Sequence, residues 1–134
     1  LADGPQGRHA LSVAALWPID DNAVTLWPGS HRWPDHREPL GPGVPLAVEA
    51  GSCVLLLGTL WHTRPPLPAR AAARLTVTAH YCEPWLRTRE AFTLSPGRDV
   101  ARQLTGRVRH MLGYSLHLPD TGLVDGLHPE RLFA

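Results

Sequence analysis

The stretch Arg74-Leu75-Thr76-Val77-Thr78-Ala79-His80-Tyr81-Cys82 decides the reading of this chain. Successive side chains of an extended strand point to opposite faces, so Leu75, Val77, Ala79 and Tyr81 share one side while Arg74, Thr76, Thr78 and His80 share the other. A strand with one apolar face and one polar, ionisable face predicts a sheet that walls a cavity. Working outward, fourteen prolines and twelve glycines cut the first two thirds of the chain into short pieces, which suits brief strands joined by turns better than long helices. His9 to Trp17 is rich in Leu, Val and Ala with little polar alternation, as expected of a strand buried on both faces. Asp20-Asp21-Asn22 supplies a turn, Ala23 to Trp27 a second strand, and Pro28-Gly29-Ser30 its end. Arg32 to Val44 is a charged, proline-punctuated loop. Gly51 separates Pro45 to Glu49 from Ser52 to Leu60, two further strands, and Thr63 to Ala69 is again proline-broken.

Beyond Pro84 the pattern changes. Val100, Leu104, Val108 and Met111 recur at helical spacing, which predicts one helix packed outside the sheet, with Ser95-Pro96 as cap and first turn and Gly113 as the stop. Leu116 to Ala134 reads as an irregular tail. The fold class expected is therefore all-β with a flanking helix, in one domain with a β core over about residues 9–84 and a helical and irregular part over about 85–134.

Thirteen basic and twelve acidic residues leave a formal net charge of +1, too weak a field to argue for nucleic acid or an anionic membrane as partner. The longest apolar run, Val54 to Leu57, is far shorter than a membrane span. Cys53 and Cys82 form no CxxC pair, so neither a disulfide scaffold nor a zinc knuckle is indicated. A reduced, soluble, cytoplasmic chain is expected.

Chemistry concentrates at two positions. His62 follows Trp61 at the end of the most apolar strand, and Arg74 opens the strand with the polar face. A non-haem iron(II) oxygenase needs two imidazoles and one carboxylate on one face of the metal, leaving open positions for a chelating oxo acid and dioxygen. An imidazole at a strand end is rigid enough to serve as one of the three. The far carboxylate of the oxo acid needs a cation that stays charged and binds as a bidentate fork, which Arg does better than Lys. Thr76 lies on the same face as Arg74 and can donate a hydroxyl. His31, projected from the Pro28-Gly29-Ser30 turn, is structural or substrate-facing, and Trp27 and Trp33, with Trp17, are candidate pocket walls. His9, His80 and His110 receive no role beyond structure.

Three segments carry a family resemblance. Asn22 to His31, NAVTLWPGSH, resembles the PGSH-ending stretch of the phytanoyl-CoA dioxygenase family; Glu49 to His62, EAGSCVLLLGTLWH, resembles its strand pair ending in the distal iron ligand; and Arg74 to Tyr81, RLTVTAHY, resembles the strand with its oxoglutarate arginine. The resemblance implies a double-stranded β-helix, the jelly roll also found in cupins. It further implies an iron(II)- and 2-oxoglutarate-dependent dioxygenase that hydroxylates a small organic substrate with dioxygen and releases succinate and CO2. Ala23 and Ser52 stand where the family usually has Gly and Asp. The larger departure is that no His-x-Asp occurs in the chain. In the family that pair lies upstream of the strand matching His9 to Trp17, so the chain reads as an N-terminally incomplete domain, inactive alone. A His-x-Asp roughly ten to twenty residues before Leu1 would favour the oxygenase over a non-catalytic module, with the wide margin of any placement from one sequence. His36-Arg37-Glu38 and His128-Pro129-Glu130 are poor substitutes, one in a loop and one in the tail. Two rival readings are a non-catalytic jelly roll that binds a carboxylate at Arg74, and a cupin-like metal protein using His31, His62 and His80.

Overall fold

The computed structural model describes residues 10–20, 22–34, 38–69 and 71–133. The chain divides into two compact units, Leu1–Tyr81 and Cys82–Ala134. Among its described residues the first has six strands, β1 Ser12–Pro18, β2 Asn22–Leu26, β3 Val44–Val48, β4 Val54–Leu57, β5 His62–Thr63 and β6 Thr76–Cys82, the last ending at the unit boundary. They form two three-stranded sheets, ordered β4-β1-β6 and β3-β2-β5. The fold class is all-β with a few short helices.

Strand β1 is central to its sheet and, as its run of apolar residues predicts, buries Ala14, Ala15 and Leu16 in succession. Its antiparallel register with β4 pairs Ala14 with Leu56 and Leu16 with Val54. These inward residues form the core of Ala14, Leu16 and Leu56, onto which Leu26 of the other sheet packs together with Val54 and Leu60. On the other side of the same ladder, where Val13 lies opposite Leu57 and Ala15 opposite Leu55, Ala15 is still buried but its partner Leu55 stays 69% exposed.

The ends of β4 show why glycine stands there. A Cβ on Gly58 would lie 1.9 Å from Ser12 Oγ and 3.0 Å from the Ser12 carbonyl. The close approach lets the Gly58 N–H donate to that carbonyl at 2.8 Å, closing the β1–β4 ladder before the chain turns toward β5.

Strand β6 begins at Thr76, two residues later than the alternation suggests. Leu75 is held just ahead of it, its carbonyl accepting from Ile19 N–H at 2.9 Å and its N–H donating to Asp20 Oδ2 at 3.1 Å. Of the polar face of β6 only Thr76 turns inward, lining a small cavity with Leu16, Val24, Val54, Asn22 and Arg64, while Thr78 and His80 are exposed. Of the apolar face Ala79 is half-buried, while Val77 and Tyr81 are exposed, Val77 at 52%.

The second unit corrects the expectation of one helix. Two six-residue helices, α1 Arg98–Gln103 and α2 Gly106–Met111, are separated at Leu104 and Thr105, both with extended backbone. The Thr105 hydroxyl accepts from Val108 N–H at 3.4 Å and caps α2, and a threonine that bonds to the backbone there restarts a helix rather than continuing one. Gly97, not Ser95 or Pro96, occupies the N-cap of α1. The periodic residues are not the buried ones either. Val100, Val108 and Met111 remain exposed, while Ala101 and Tyr114 are buried. Tyr114 packs edge-on against Phe133, with centroids 4.9 Å apart. Arg109 stands 4.9 Å from the same ring and donates to Glu130 at 3.2 and 3.3 Å and to the Leu104 carbonyl at 2.7 Å. The expected irregular tail thus contributes a 3-10 turn, Pro129–Phe133, to this small core, along with two isolated bridges, His117 with Thr121 and Val124 with Leu127. Among the described residues no helix is long and apolar enough to cross a membrane.

Candidate functional site

His62 opens β5, a strand of two residues paired antiparallel with β2, Leu26 opposite His62 and Thr25 opposite Thr63. So short a ladder fixes little alone, and three further contacts build the corner. The Trp27 N–H donates to the Trp61 carbonyl at 3.1 Å. The Trp61 N–H donates to Ser30 Oγ at 2.8 Å, and Ser30 is fully buried. Leu60 packs on the core cluster.

The Pro28-Gly29-Ser30-His31 segment supplies that serine. Gly29 takes a left-handed conformation (φ 83°) ahead of a 3-10 turn over Ser30–Arg32, a backbone state that glycine enters without the Cβ penalty. Ser30 then points inward while His31 is half-buried on the same turn. The residue that joins this segment to His62 is therefore Ser30. Sequence reasoning passed it over, since nothing in a serine after Pro-Gly indicates which distant N–H it meets.

The His62 ring is exposed, with Nδ1 2.9 Å from the Leu60 carbonyl oxygen. A carbonyl only accepts, so in the neutral ring Nδ1 carries the proton and Nε2 keeps its lone pair. That is the tautomer a metal-ligating or proton-accepting imidazole needs. An open groove of about 230 Å3 runs along Gly58 to His62. Two buried polar atoms of the same segment, Thr59 Oγ1 and Trp61 Nε1, have no hydrogen-bond partner.

Arg74 is exposed and precedes β6. Thr76, on the strand proper, accepts at its hydroxyl from Asn22 Nδ2 at 3.0 Å. Thr78, two residues on and on the same face, accepts from an Arg64 guanidinium nitrogen at 3.2 Å. Asn22 and Arg64 are thus the partners of the polar face, and neither was among the sequence candidates. Trp27 is half-buried and uses its indole N–H on the Gly41 carbonyl at 3.2 Å, tying the loop after the 3-10 turn back to β2. Trp33 is half-buried as well. His9 and His36 lie outside the described residues. Both cysteines are free and exposed.

Among the described residues no three His, Cys, Asp or Glu side chains are grouped to hold a metal ion. That corrects the cupin-like trio: His31, His62 and His80 are all described and do not make such a group. The described residues offer single imidazoles, and an iron centre is not complete within them.

No protein-family model matches the chain. Over 115 residues, covering 78% of this chain, the sequence is 28% identical to a protein of Aspergillus fumigatus named Dioxygenase af480. A span of that size takes in the middle of the chain, His62 and Arg74 included. The chain spans 37% of the length of that relative.

Proposed function

We propose that this chain is part of a dioxygenase of phytanoyl-CoA dioxygenase type, iron(II)- and 2-oxoglutarate-dependent, with His62 as one metal-ligand position and Arg74 and Thr76 as the oxoglutarate anchor. The observation that carries the reading is the similarity to a protein named a dioxygenase over 78% of the chain. The geometry adds support of its own. The His62 ring is oriented by the Leu60 carbonyl with Nε2 free, and Thr76 of β6 lines a small cavity whose other walls come from strands of both sheets. The reaction proposed hydroxylates a small organic substrate with dioxygen while 2-oxoglutarate becomes succinate and CO2.

Because the described residues do not complete a metal site, the roles assigned to this chain are limited to its own side chains. His62 presents one fixed lone pair. Arg74 and Thr76 bind and orient a carboxylate. The apolar residues behind Thr76 exclude water.

Succinate release from 2-oxoglutarate, measured on the full-length protein that carries this sequence, tests the reading. Loss of release in His62→Ala and in Arg74→Ala is expected, and unchanged turnover in Arg74→Ala removes that residue from the anchor. The 134-residue chain alone is expected to release no succinate. Saturable carboxylate binding without succinate release by the full-length protein would favour a non-catalytic carboxylate-binding module instead.

A further inference from the structure

We infer that Arg64 is a second cation of the carboxylate site, closing on the bound carboxylate from the sheet opposite β6. The inference rests on the proposed carboxylate site between the sheets.

Arg64 follows β5 directly, and β5 belongs to the β3-β2-β5 sheet. Its guanidinium nevertheless reaches Thr78 on β6, a strand of the other sheet, at 3.2 Å. It is thus a side chain that spans the gap between the sheets. The same residue lines the cavity whose polar wall is completed by Thr76 and Asn22 and whose floor is apolar, with Leu16, Val24 and Val54. An apolar slot with a few convergent polar groups is the usual form of a small-ligand site.

As it stands the cavity measures about 10 Å3, room for about one water, so a carboxylate enters only if the rim opens. The rim is weak where Arg64 sits. Arg64 and Thr78 are both exposed, and a hydroxyl uses only one of the five N–H donors of a guanidinium. A carboxylate accepts two of them in a parallel fork, with both groups charged. Exchange of Thr78 for a carboxylate therefore improves the partner of Arg64. The ligand class is a short dicarboxylate or oxo-dicarboxylate, the class of the proposed co-substrate, with one of its carboxylates meeting Arg64 at the cavity that Arg64 lines.

The test is calorimetric titration of the full-length protein with 2-oxoglutarate and with glutarate, which keeps both carboxylates but has no oxo group and so cannot chelate a metal through one. Wild type is expected to bind both. Arg64→Ala is expected to weaken each by about tenfold or more, the scale of a lost charge-assisted hydrogen bond. Arg64→Lys should fall between the two because it keeps the charge and loses the fork, and it also decides the matter should the alanine variant fail to fold. Thr78→Val, which removes only the partner being displaced, should not weaken glutarate. Affinity unchanged in both Arg64 variants, or no binding by wild type, overturns the inference. Arg64-dependent glutarate binding without succinate release would leave it standing while the oxygenase reading falls. Succinate release with an unaltered KM for 2-oxoglutarate in Arg64→Ala would do the reverse.

Discussion

The corner that carries His62 and the entry that carries Arg74 are built on opposite principles. At the corner, the residue before the histidine is held by a buried hydroxyl from 31 positions away, and its carbonyl by the end of β2. At the entry, the residue after the arginine is held by the Ile19 N–H and the Asp20 carboxylate, and the arginine itself stands in solvent. A fixed imidazole and a movable guanidinium have different uses. The first must present a lone pair in one direction, whereas the second can search for an anion and order upon meeting it, at some cost in side-chain entropy.

The largest effect is expected at Ser30. Ser30→Ala removes the acceptor of the Trp61 N–H in a buried setting and is expected to cost about 1–3 kcal/mol, the penalty of an unpaired buried donor. Urea unfolding measures it, and a loss near zero would mean that the corner is held by the β2–β5 pairs instead. A smaller effect is expected at the entry. Asp20→Ala deletes one exposed acceptor of the Leu75 N–H and should cost under about 1 kcal/mol, with amide exchange at Leu75 accelerating more than exchange at Trp61. The smallest belongs to Arg74→Ala, expected to leave stability within about 0.5 kcal/mol in the same unfolding experiment. A large destabilisation there would show that Arg74 is structural and sharpen the case for Arg64 as the cation facing the ligand.

Strands were the legible part of this fold. The apolar run through Ala14, Ala15 and Leu16 and the alternation from Thr76 to Tyr81 are local signals, and both became strands, the first with its apolar residues buried. The second unit was legible only in outline. Val100, Val108 and Met111 keep helical spacing, yet the burial there is decided by Ala101, Tyr114 and Pro129, which come together through turns rather than through one periodic face. At the site, the sequence places His62 at the end of the apolar run from Ser52 to Leu60. Strand β4 instead stops at Leu57 and His62 opens β5 in the other sheet, because Gly58 turns the chain out of the first ladder. The parts played by Ser30, Asn22 and Arg64 could not be read from the sequence. Each acts on a residue 14 to 54 positions away, and such pairings exist only once the sheets have chosen their order. The exposed outer side of β6, with Val77 and Tyr81, was equally hidden, since alternation assigns residues to faces without saying which face meets the core.

Strand β5 is two residues long, and that brevity bears on time rather than on place. Regions with few ladder bonds open in sub-global excursions of low free energy, while the central strands wait for global unfolding. His62 thus belongs to a segment able to unzip and reclose many times in the lifetime of the folded core. Exchange protection at Thr63 would report that local opening, whereas protection at Leu16 would report the whole unit. The imidazole is held in one orientation for only as long as the closed interval lasts.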